Sequence, residues 1–179
     1  MTLIPPDWRP VVATLAFVDR GGDVLLIRKK RGHGAGKVNA PGGRVERAET
    51  PEQCARRELR EEVGMRCGAL RRVAHLRFHD RTGGYDVRGF VFRAAACRGP
   101  AVDTPEAAPF WCPWDAVPYD EMWEADRYWV PAIRDGGHVR GDFVFEDDRL
   151  VSSCVSPVGA GGLERFRAEF DVTGEDIAA

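Results

Sequence analysis

The sequence predicts a single α/β domain in which a mixed β-sheet is packed by helices. Segments rich in β-branched and aromatic residues alternate with helical segments, but without the regular βαβ rhythm of an all-parallel sheet. The chain has 179 residues, of which 44% are hydrophobic, and this is enough for one domain with a substantial core. No internal repeat or linker divides it. We therefore expect one domain over residues 1–160, followed by a tail over residues 161–179.

The strand pattern recurs along the whole chain. The first two strand segments flank Arg20, Gly21 and Gly22 and are predicted to form a hairpin. The third and fourth flank the glycine-containing turn at 80–84. The predicted strands cover residues 11–19, 23–29, 69–78, 85–97, 108–114 and 138–155.

Helix signals are clearest at residues 51–62. Thr50 is a suitable N-cap, Pro51 suits the first helical position, and Gln53 completes a capping box. Gly64 is the expected stop. A second helix is predicted at 124–135, where Pro131 suggests a kink or an irregular start. Residues 162–170 form an amphipathic pattern that predicts a short closing helix.

Composition and charge exclude several classes of function. The net charge is −2 and the isoelectric point is about 6.1, so overall charge gives no basis for binding nucleic acid polymers or acidic membranes. No segment approaches the roughly 18 apolar residues of a membrane span, and residues 1–10 do not resemble a signal peptide. The five scattered cysteines have no metal-site or redox spacing. They predict reduced thiols in a cytoplasmic protein: Cys54, Cys67, Cys97, Cys112 and Cys154.

Three glutamates, Glu58, Glu61 and Glu62, crowd one side of the first predicted helix, directly after a glycine-rich loop. Like charges on adjacent helical turns repel one another. A divalent cation such as Mg²⁺ would relieve this repulsion, because it takes oxygen ligands and commonly bridges carboxylates to phosphates. On the cluster alone, a solvated helix whose glutamates pair with Arg57 and Arg60 is the favoured interpretation, because surface glutamate clusters are common and such pairs contribute little individually.

The full spacing around these glutamates is more specific. It runs from Gly43 through Glu49 and the Arg57–Glu58–Leu59 triplet to Glu61–Glu62 and Gly64–Met65. All nine positions match the Nudix box, so the chain resembles the Nudix hydrolases. The segments 29–43, 121–131 and 141–145, together with Trp111, look like the oxidised purine nucleoside triphosphate hydrolases of the mammalian MutT-homologue type. The resemblance covers roughly residues 14–145.

This resemblance implies a Nudix fold, an α/β/α sandwich with a mixed sheet, that hydrolyses a nucleoside triphosphate to a monophosphate and pyrophosphate. It implies that Glu58 and Glu62 hold Mg²⁺ with the carbonyl of Gly42, with Mn²⁺ as an alternative ion. Glu61 would be a further ligand or the general base. Glu106 would approach the metal from a distant loop.

Other site residues follow from the same resemblance. Arg57 would bridge Glu49 and a box glutamate and hold them in place. Within the basic run 28–31 together with Lys37, Lys29 is the residue expected to face the triphosphate, since alternate residues of a strand point away.

The resemblance places the base on Trp123, and Asn39 at a purine edge. Thr14 and Phe78 would line the same pocket, whereas Tyr128 and Trp129 are expected in the core. The family has two adjacent aspartates after the stacking tryptophan, and here the pair is Ala125–Asp126. A histidine, His33, also replaces an aromatic residue. Preference for 8-oxoguanine is therefore not implied.

The residues leave three hypotheses open. The first is a Mg²⁺-dependent diphosphatase for oxidised purine nucleoside triphosphates such as 8-oxo-dGTP. The second keeps the chemistry but changes the substrate to ordinary dNTPs, methylated or 2-hydroxy purines, or nucleoside diphosphate derivatives. The third is a nucleotide sensor without catalysis, which the intact box disfavours. We expect a monomer or weak dimer.

Overall fold

The computed structural model describes residues 3–173, which contain three α-helices and eight β-strands. The helices are α1 (Pro51–Val63), α2 (Asp126–Arg134) and α3 (Leu163–Ala168). The strands are β1 (Val11–Arg20), β2 (Asp23–Lys29), β3 (Val38–Asn39), β4 (Leu70–Asp80), β5 (Val87–Ala94), β6 (Ala107–Pro113), β7 (Val139–Glu146) and β8 (Arg149–Pro157). The strands follow the sequence prediction within a few residues, except that the last predicted segment is a hairpin of two strands and β3 was not predicted.

All eight strands belong to one mixed sheet. The order is β3-β2-β1-β5-β4-β7-β8, and β6 pairs with β2. The β1–β5 and β4–β7 pairs are parallel, whereas the other pairs are antiparallel. The predicted hairpin is therefore present as β1–β2, and the turn at 80–84 joins the antiparallel strands β4 and β5.

Helices cover both faces of this sheet, which makes the fold an α/β/α sandwich as predicted. On one face, α1 packs through Leu59 and its neighbours, and α3 packs through Phe166. On the other face, α2 packs through Trp129, Val130 and Ile133. Within the part of the chain that the structure describes, none of the helices is long and apolar enough to cross a membrane.

The boundaries of α1 are those that the sequence specifies. The Thr50 side chain accepts a hydrogen bond from the backbone N–H of Gln53, and the Gln53 side chain accepts one from the N–H of Thr50. This capping box satisfies two N–H groups that the helix leaves without partners. At the other end, Gly64 adopts the left-handed conformation (φ 72°) and donates to the carbonyl of Arg60.

In α2 one predicted core residue is not in the core. The helix begins at Asp126, two residues later than predicted, and Pro131 lies within it. Trp129 is fully buried, as expected, but Tyr128 is 50% exposed. The buried face of α2 repeats at the helical spacing from Asp126 to Trp129 and Ile133, and Tyr128 lies off that face.

The expectation of five reduced cysteines is wrong for one pair. Cys67 and Cys97 form a disulfide with Cα atoms 4.0 Å apart. They flank the Arg66–Arg98 bridge, in which each backbone N–H donates to the other residue's carbonyl. Side chains at the next antiparallel pair come close together. No local pattern indicates this pairing, because 30 residues separate the two cysteines. Cys54, Cys112 and Cys154 are free thiols.

The segment after β8 is held against the sheet by aromatic packing and by one partly buried carboxylate, that of Glu169. Phe166 and Phe170 are buried, and Phe170 contacts the ring of Phe90 at 4.8 Å between centroids. The structure thus describes part of the predicted tail as a helix packed on the domain, while residues 174–179 lie outside the described residues.

Glu169 joins this segment to three strands. Arg140 donates to Oε1 of Glu169 at 2.6 Å, and Nδ1 of His75 lies 2.6 Å from Oε2. The other ring nitrogen of His75 accepts from Nε of Arg88 at 3.0 Å. Because a guanidinium can only donate, His75 is neutral and its proton sits on Nδ1, from where it is donated to Glu169.

Replacing Glu169 should destabilise the fold in a pH-dependent way. Burial raises the pKa of Glu169, but the hydrogen bonds from Arg140 and His75 outweigh it and hold the pKa below the ordinary value of 4.5. Its contribution is therefore present above pH 4.5 and is lost as the pH falls through the lower, folded value. We expect Glu169→Gln to cost about 1–3 kcal/mol at neutral pH, measured by urea denaturation, and the difference to shrink in acid.

Glu164→Gln is the matched control, because Glu164 is an exposed carboxylate on α3, which directly precedes Glu169. It should change the free energy of unfolding by less than about 0.5 kcal/mol. Equal destabilisation by the two variants, or a loss in Glu169→Gln that is the same at every pH, would contradict the assigned role of Glu169.

Candidate active site

The site is built where a glycine-containing loop runs along β1 and meets α1. The N–H of Thr14 donates to the carbonyl of Gly43 at 2.9 Å, and the N–H of Ala16 donates to the carbonyl of Pro41 at 2.8 Å. These bonds extend the sheet pattern to a segment that is not itself a full strand. They fix the backbone of Gly42 and Gly43 directly beside the acidic side of α1.

Both glycines are needed for this close approach. A Cβ on Gly43 would overlap the carboxylate of Glu58, and a Cβ on Gly42 would overlap the carbonyl of Thr14. With no Cβ in the way, the N–H of Gly42 donates to Oε2 of Glu62 at 2.9 Å. The loop therefore touches two box glutamates through its backbone, and the carbonyl of Gly42 belongs to the same loop.

Two of the box glutamates are buried. Glu62 is 2% exposed and Glu58 is 9% exposed, whereas the side chain of Glu61 is 54% exposed. The pKa of Glu62 is raised to about 7, mainly by burial and in smaller part by Glu58 and Glu106, while the Gly42 hydrogen bond and Lys29 act in the opposite direction. Burial is also the main cause of the raised pKa of Glu58. The protein thus places carboxylates close together with too little positive charge to compensate them.

Arg57 organises the acidic side of the helix. Its Nε and Nη2 each donate to one oxygen of Glu49 at 2.9 Å. Its Nη1 donates to Glu58 at 2.7 Å and to Glu61 at 3.1 Å, and Nη2 also reaches the carbonyl of Arg44 at 3.0 Å. One guanidinium therefore fixes the loop and the helix relative to each other, in the bridging geometry that the family resemblance implies.

The basic run before the loop is divided among several partners. Lys29 faces inward, with its Nζ 3.9 Å from Oε1 of Glu62. Arg28 pairs with Glu121, and Lys30 pairs with Asp103. Arg31 pairs with Glu106, the residue expected to approach the metal from a distant loop. Only Lys29 of these four cations lines the neighbouring cavity, while the outward residues make surface pairs.

The carboxylate oxygens of this cluster suit a hard divalent cation, although in this structure they accept hydrogen bonds from other groups of the protein. Among residues 3–173, no three His, Cys, Asp or Glu side chains are already arranged as a ligand set. Yet Glu106 lies close enough to raise the pKa of both Glu58 and Glu62, and Glu62 has a single hydrogen bond, from the backbone. Oxygen ligands of this kind are those that Mg²⁺ prefers.

A cavity of about 250 Å³ opens beside the acidic cluster. Six residues that the sequence assigns to substrate binding all line it, although they come from five parts of the chain: Thr14, Lys29, Asn39, Phe78, Trp123 and Asp126. Gly42 and Gly43 line it as well, so the cavity and the acidic cluster share the loop along β1. The cavity has aromatic walls and few polar groups, which is typical of a small-molecule site.

Asp126 supplies an unpartnered polar atom in this cavity. It is 4% exposed, and burial raises its pKa to about 7. Its Oδ1 accepts from Nε1 of Trp129 at 3.1 Å, while Oδ2 has no hydrogen-bond partner among the described residues. Asn39 also faces the cavity, and because its Oδ1 accepts from the N–H of Ala40, its amide nitrogen remains to donate. Ala125, fully buried, adds no polar group.

The histidine in the glycine-rich loop packs on the tryptophan. The ring of His33 stacks on Trp123 with centroids 5.0 Å apart and planes 19° apart. Nζ of Lys37 lies 4.6 Å from the centre of the same indole. Burial lowers the pKa of His33, and the nearby Lys29 and Arg44 lower it further. A neutral imidazole therefore takes the place of the expected aromatic residue.

Sequence reasoning missed a buried thiol at the centre of the site. The hydroxyl of Thr14 donates to Sγ of Cys54 at 3.3 Å, and that thiol donates to the carbonyl of Arg44 at 3.3 Å. Burial raises the pKa of Cys54 to about 12, so it remains protonated. Its position inside the box, facing the same side as Glu58, was the available signal.

The mouth of the cavity was also not predicted. It is lined by charged and polar residues of the β4–β5 and β7–β8 turns and of the loop, namely His79, Asp80, Tyr85, Asp148 and Arg44. Arg44 lies 4.8 Å from the centre of the Tyr85 ring, and Tyr85 contacts the edge of His33. No local motif marks these residues, because only the pairing of β4 with β5 and β7 brings their turns to the cavity.

Comparison with known proteins agrees with this geometry. The NUDIX domain profile matches residues 7–133. Over 140 residues the chain is 39% identical to the oxidized purine nucleoside triphosphate hydrolase of Danio rerio, covering 77% of this chain and 88% of that protein. It is 35% identical to the protein of the same name from Mus musculus, with coverage of 78% and 90%.

Solved structures share the fold. The crystal structure of the MutT protein from Bacillus halodurans superimposes with a TM-score of 0.73, at 24% identity, over 82% of this chain and 97% of that one. The predicted Nudix fold is therefore confirmed. With the complete box in place on α1 and its loop, the chain belongs to the NUDIX family of hydrolases.

Proposed function

We propose that this protein hydrolyses purine nucleoside triphosphates, including oxidised ones such as 8-oxo-dGTP, to the monophosphate and pyrophosphate, and so sanitises the cytoplasmic nucleotide pool. The observation that carries the proposal is the shared loop: Gly42 and Gly43 border both the buried carboxylates and the aromatic cavity. A nucleotide whose base enters the cavity therefore has its phosphates beside the acidic cluster. Relatives named as oxidized purine nucleoside triphosphate hydrolases support the substrate class.

The metal that fits this site is Mg²⁺, with Mn²⁺ as an alternative. Glu58 and Glu62 would hold it with the carbonyl of Gly42, and Glu61 and Glu106 are further ligands within the cluster. When bound, such an ion neutralises phosphate charge and activates water. For Glu106 to take part, it must leave its surface pair with Arg31. That exchange is inexpensive, because exposed ion pairs are weak.

The protein's own groups would orient the phosphates and remove a proton from the attacking water. Lys29, held 3.9 Å from Glu62, can move to a phosphate oxygen without leaving the site. Arg57 keeps Glu58 and Glu61 in place through Nη1. Either Glu61, which is half exposed, or a neighbouring box glutamate is positioned to accept the proton of the water.

The base would stack on Trp123 and be recognised along one edge. Asn39 offers an amide donor, and Oδ2 of Asp126 offers an unpaired acceptor when ionised or a hydroxyl donor when protonated. A pKa near 7 makes both forms of Asp126 accessible at neutral pH. The monomer contains every group named here, and we propose that the protein is a monomer or weak dimer.

The second candidate function is the same reaction with a broader range of accepted bases. Ala125 stands where a second carboxylate would read the base, and it is fully buried without a polar atom. One recognition bond is therefore absent, and the loss of one such bond weakens discrimination. Ordinary dNTPs, methylated or 2-hydroxy purines, and nucleoside diphosphate derivatives are the substrates that this difference admits.

Removing a box carboxylate should abolish turnover and leave the fold intact. Glu58→Gln or Glu62→Gln is expected to lower kcat about 10²- to 10⁴-fold in steady-state assays with saturating Mg²⁺. Glu52→Gln is the matched control, since Glu52 lies on the same helix and pairs with Arg56 away from the cluster. Near-wild-type turnover of Glu62→Gln would show that the metal assignment is wrong.

Shortening Trp123 should weaken binding of the base. Trp123→Ala is expected to raise KM about 5- to 150-fold, corresponding to about 1–3 kcal/mol of stacking, while Trp123→Phe retains most of the affinity. Circular dichroism provides the control for folding. Unfolding of Trp123→Ala would instead identify the indole as part of the core.

A panel of triphosphates decides between the two substrate ranges. We expect kcat/KM to be higher for 8-oxo-dGTP than for dGTP. Asp126→Asn should reduce this preference for 8-oxo-dGTP about tenfold, because it removes the ionisable carboxyl group that faces the edge of the base. Equal kcat/KM for both substrates in the wild type would favour the broader enzyme. Nucleotide binding without release of pyrophosphate or phosphate, with either Mg²⁺ or Mn²⁺, would instead favour a sensor.

A further inference from the structure

A second cavity lies at the end of the sheet opposite the candidate active site. It is formed where β4 begins and β5 ends, and four arginines line it: Arg71, Arg72, Arg93 and Arg167. Phe78, which lines the base cavity, is seven residues further along β4 than Arg71, which corresponds to about 23 Å along the strand. The two cavities are therefore separate sites on one rigid sheet.

The one carboxylate that lines this cavity, that of Asp19, already accepts hydrogen bonds on both of its oxygens. Both Nε and Nη2 of Arg93 donate to it, and Nε1 of Trp114 donates to its Oδ1 at 2.8 Å. Arg93 and Asp19 therefore cancel as a two-bond pair. They form a neutral wall of the cavity, and within the described part of the chain no other carboxylate that lines the cavity compensates the remaining arginines.

Arg72 is held in place from outside the cavity. Its Nη1 donates to the carbonyl of Arg167 at 2.7 Å, and its Nη2 lies 2.8 Å from Oδ1 of Asp171, whose side chain is 63% exposed. The first bond ties α3 to the start of β4. Arg72 therefore fixes the position of the Arg167 backbone relative to the cavity.

Of the four arginines that line the cavity, Arg71 and Arg167 have no side-chain partner among the described residues. Arg71 lies directly across from Arg93 in the β4–β5 register, so like charges face each other. Burial lowers the pKa of His138, and Arg71 and Arg167 lower it further, which places both guanidiniums near the same ring. Their excess positive charge is concentrated in one concave place.

We propose that this arginine cavity binds a small polyvalent oxyanion of the phosphate or pyrophosphate class. Guanidinium groups present planar, paired donors that match the oxygens of such anions, and a concave surface allows several of them to contact one anion. A phosphate group would also compensate the charges of Arg71 and Arg167, the two lining arginines that have no side-chain partner among the described residues. Unlike the acidic cluster, this site needs no metal, because the protein itself supplies the positive charge.

The test exploits the opposite charges of the two ends. In buffer with EDTA, the carboxylates at the candidate active site repel anions, so pyrophosphate should perturb backbone amide resonances near Arg71, Ala94 and Ala95. Resonances of Gly42 and Gly43 should remain unchanged. The affinity is measured by isothermal titration calorimetry on the full-length chain, with inorganic phosphate as a second probe, and binding of either anion at this end supports the proposal.

The variant Arg71→Gln/Arg167→Gln should weaken pyrophosphate binding about tenfold or more, since each lost charged hydrogen bond costs about this factor. Arg165→Gln is the matched control, because Arg165 is an exposed arginine on the same helix that does not line the cavity. Both substitutions are at exposed positions, and thermal unfolding checks that the fold is retained. Equal weakening by the control, resonance changes confined to Gly42 and Gly43, or no binding at millimolar anion would overturn the proposal.

Discussion

The active site depends on burying carboxylates beside a backbone segment that has no side chains in the way. Two glutamates on adjacent turns of α1 are withdrawn from water, which is costly for the charged form. The protein offsets part of that cost with Arg57, which donates to Glu49, Glu58 and Glu61. It leaves Glu62 with a single backbone hydrogen bond and a distant lysine. This incomplete compensation is the basis on which we propose that the cluster binds a cation.

The same loop connects the acidic cluster to the cavity that we assign to the base. Because residues 41–45 hydrogen-bond along β1, a change in the position of Gly43 is transmitted to Thr14, which lines the cavity. Cys54 reinforces the connection, since its thiol lies between the Thr14 hydroxyl and the loop carbonyls and cannot ionise at neutral pH. The acidic cluster and the cavity are thus held in fixed relative positions by one short segment with many hydrogen bonds.

Opposite charges are concentrated at the two ends of the sheet, and the small net charge of the chain does not reveal this. One end carries the buried glutamates, and the other carries the arginine cavity, although the whole chain has a charge of only −2. The parallel pairing of β4 with β7 helps to produce this polarity, because it brings Phe78 beside Phe143 near one end and His138 beside the start of β4 at the other. An anion is therefore attracted differently to each end, depending on whether a metal is present.

The sequence by itself determined the features whose causes are local. The α1 caps follow from Thr50, Gln53 and Gly64, and the fixed spacing of the box places its glutamates on one side of that helix. The six substrate-binding residues were assigned from the family resemblance, and the structure brings all of them to one cavity. Hydrogen bonds and helical periodicity act over a few residues, so a local pattern is sufficient to predict them.

Tertiary structure alone decided the features that join distant parts of the chain. The Cys67–Cys97 disulfide, the contact between Glu169 and His75, and the presence of Asp148 at the cavity mouth each depend on how strands pair. Tyr128 is exposed because the packing of α2 selected a different face of that helix. Such contacts arise from the register of a mixed sheet, which depends on the combined burial of many side chains, so no single segment encodes them.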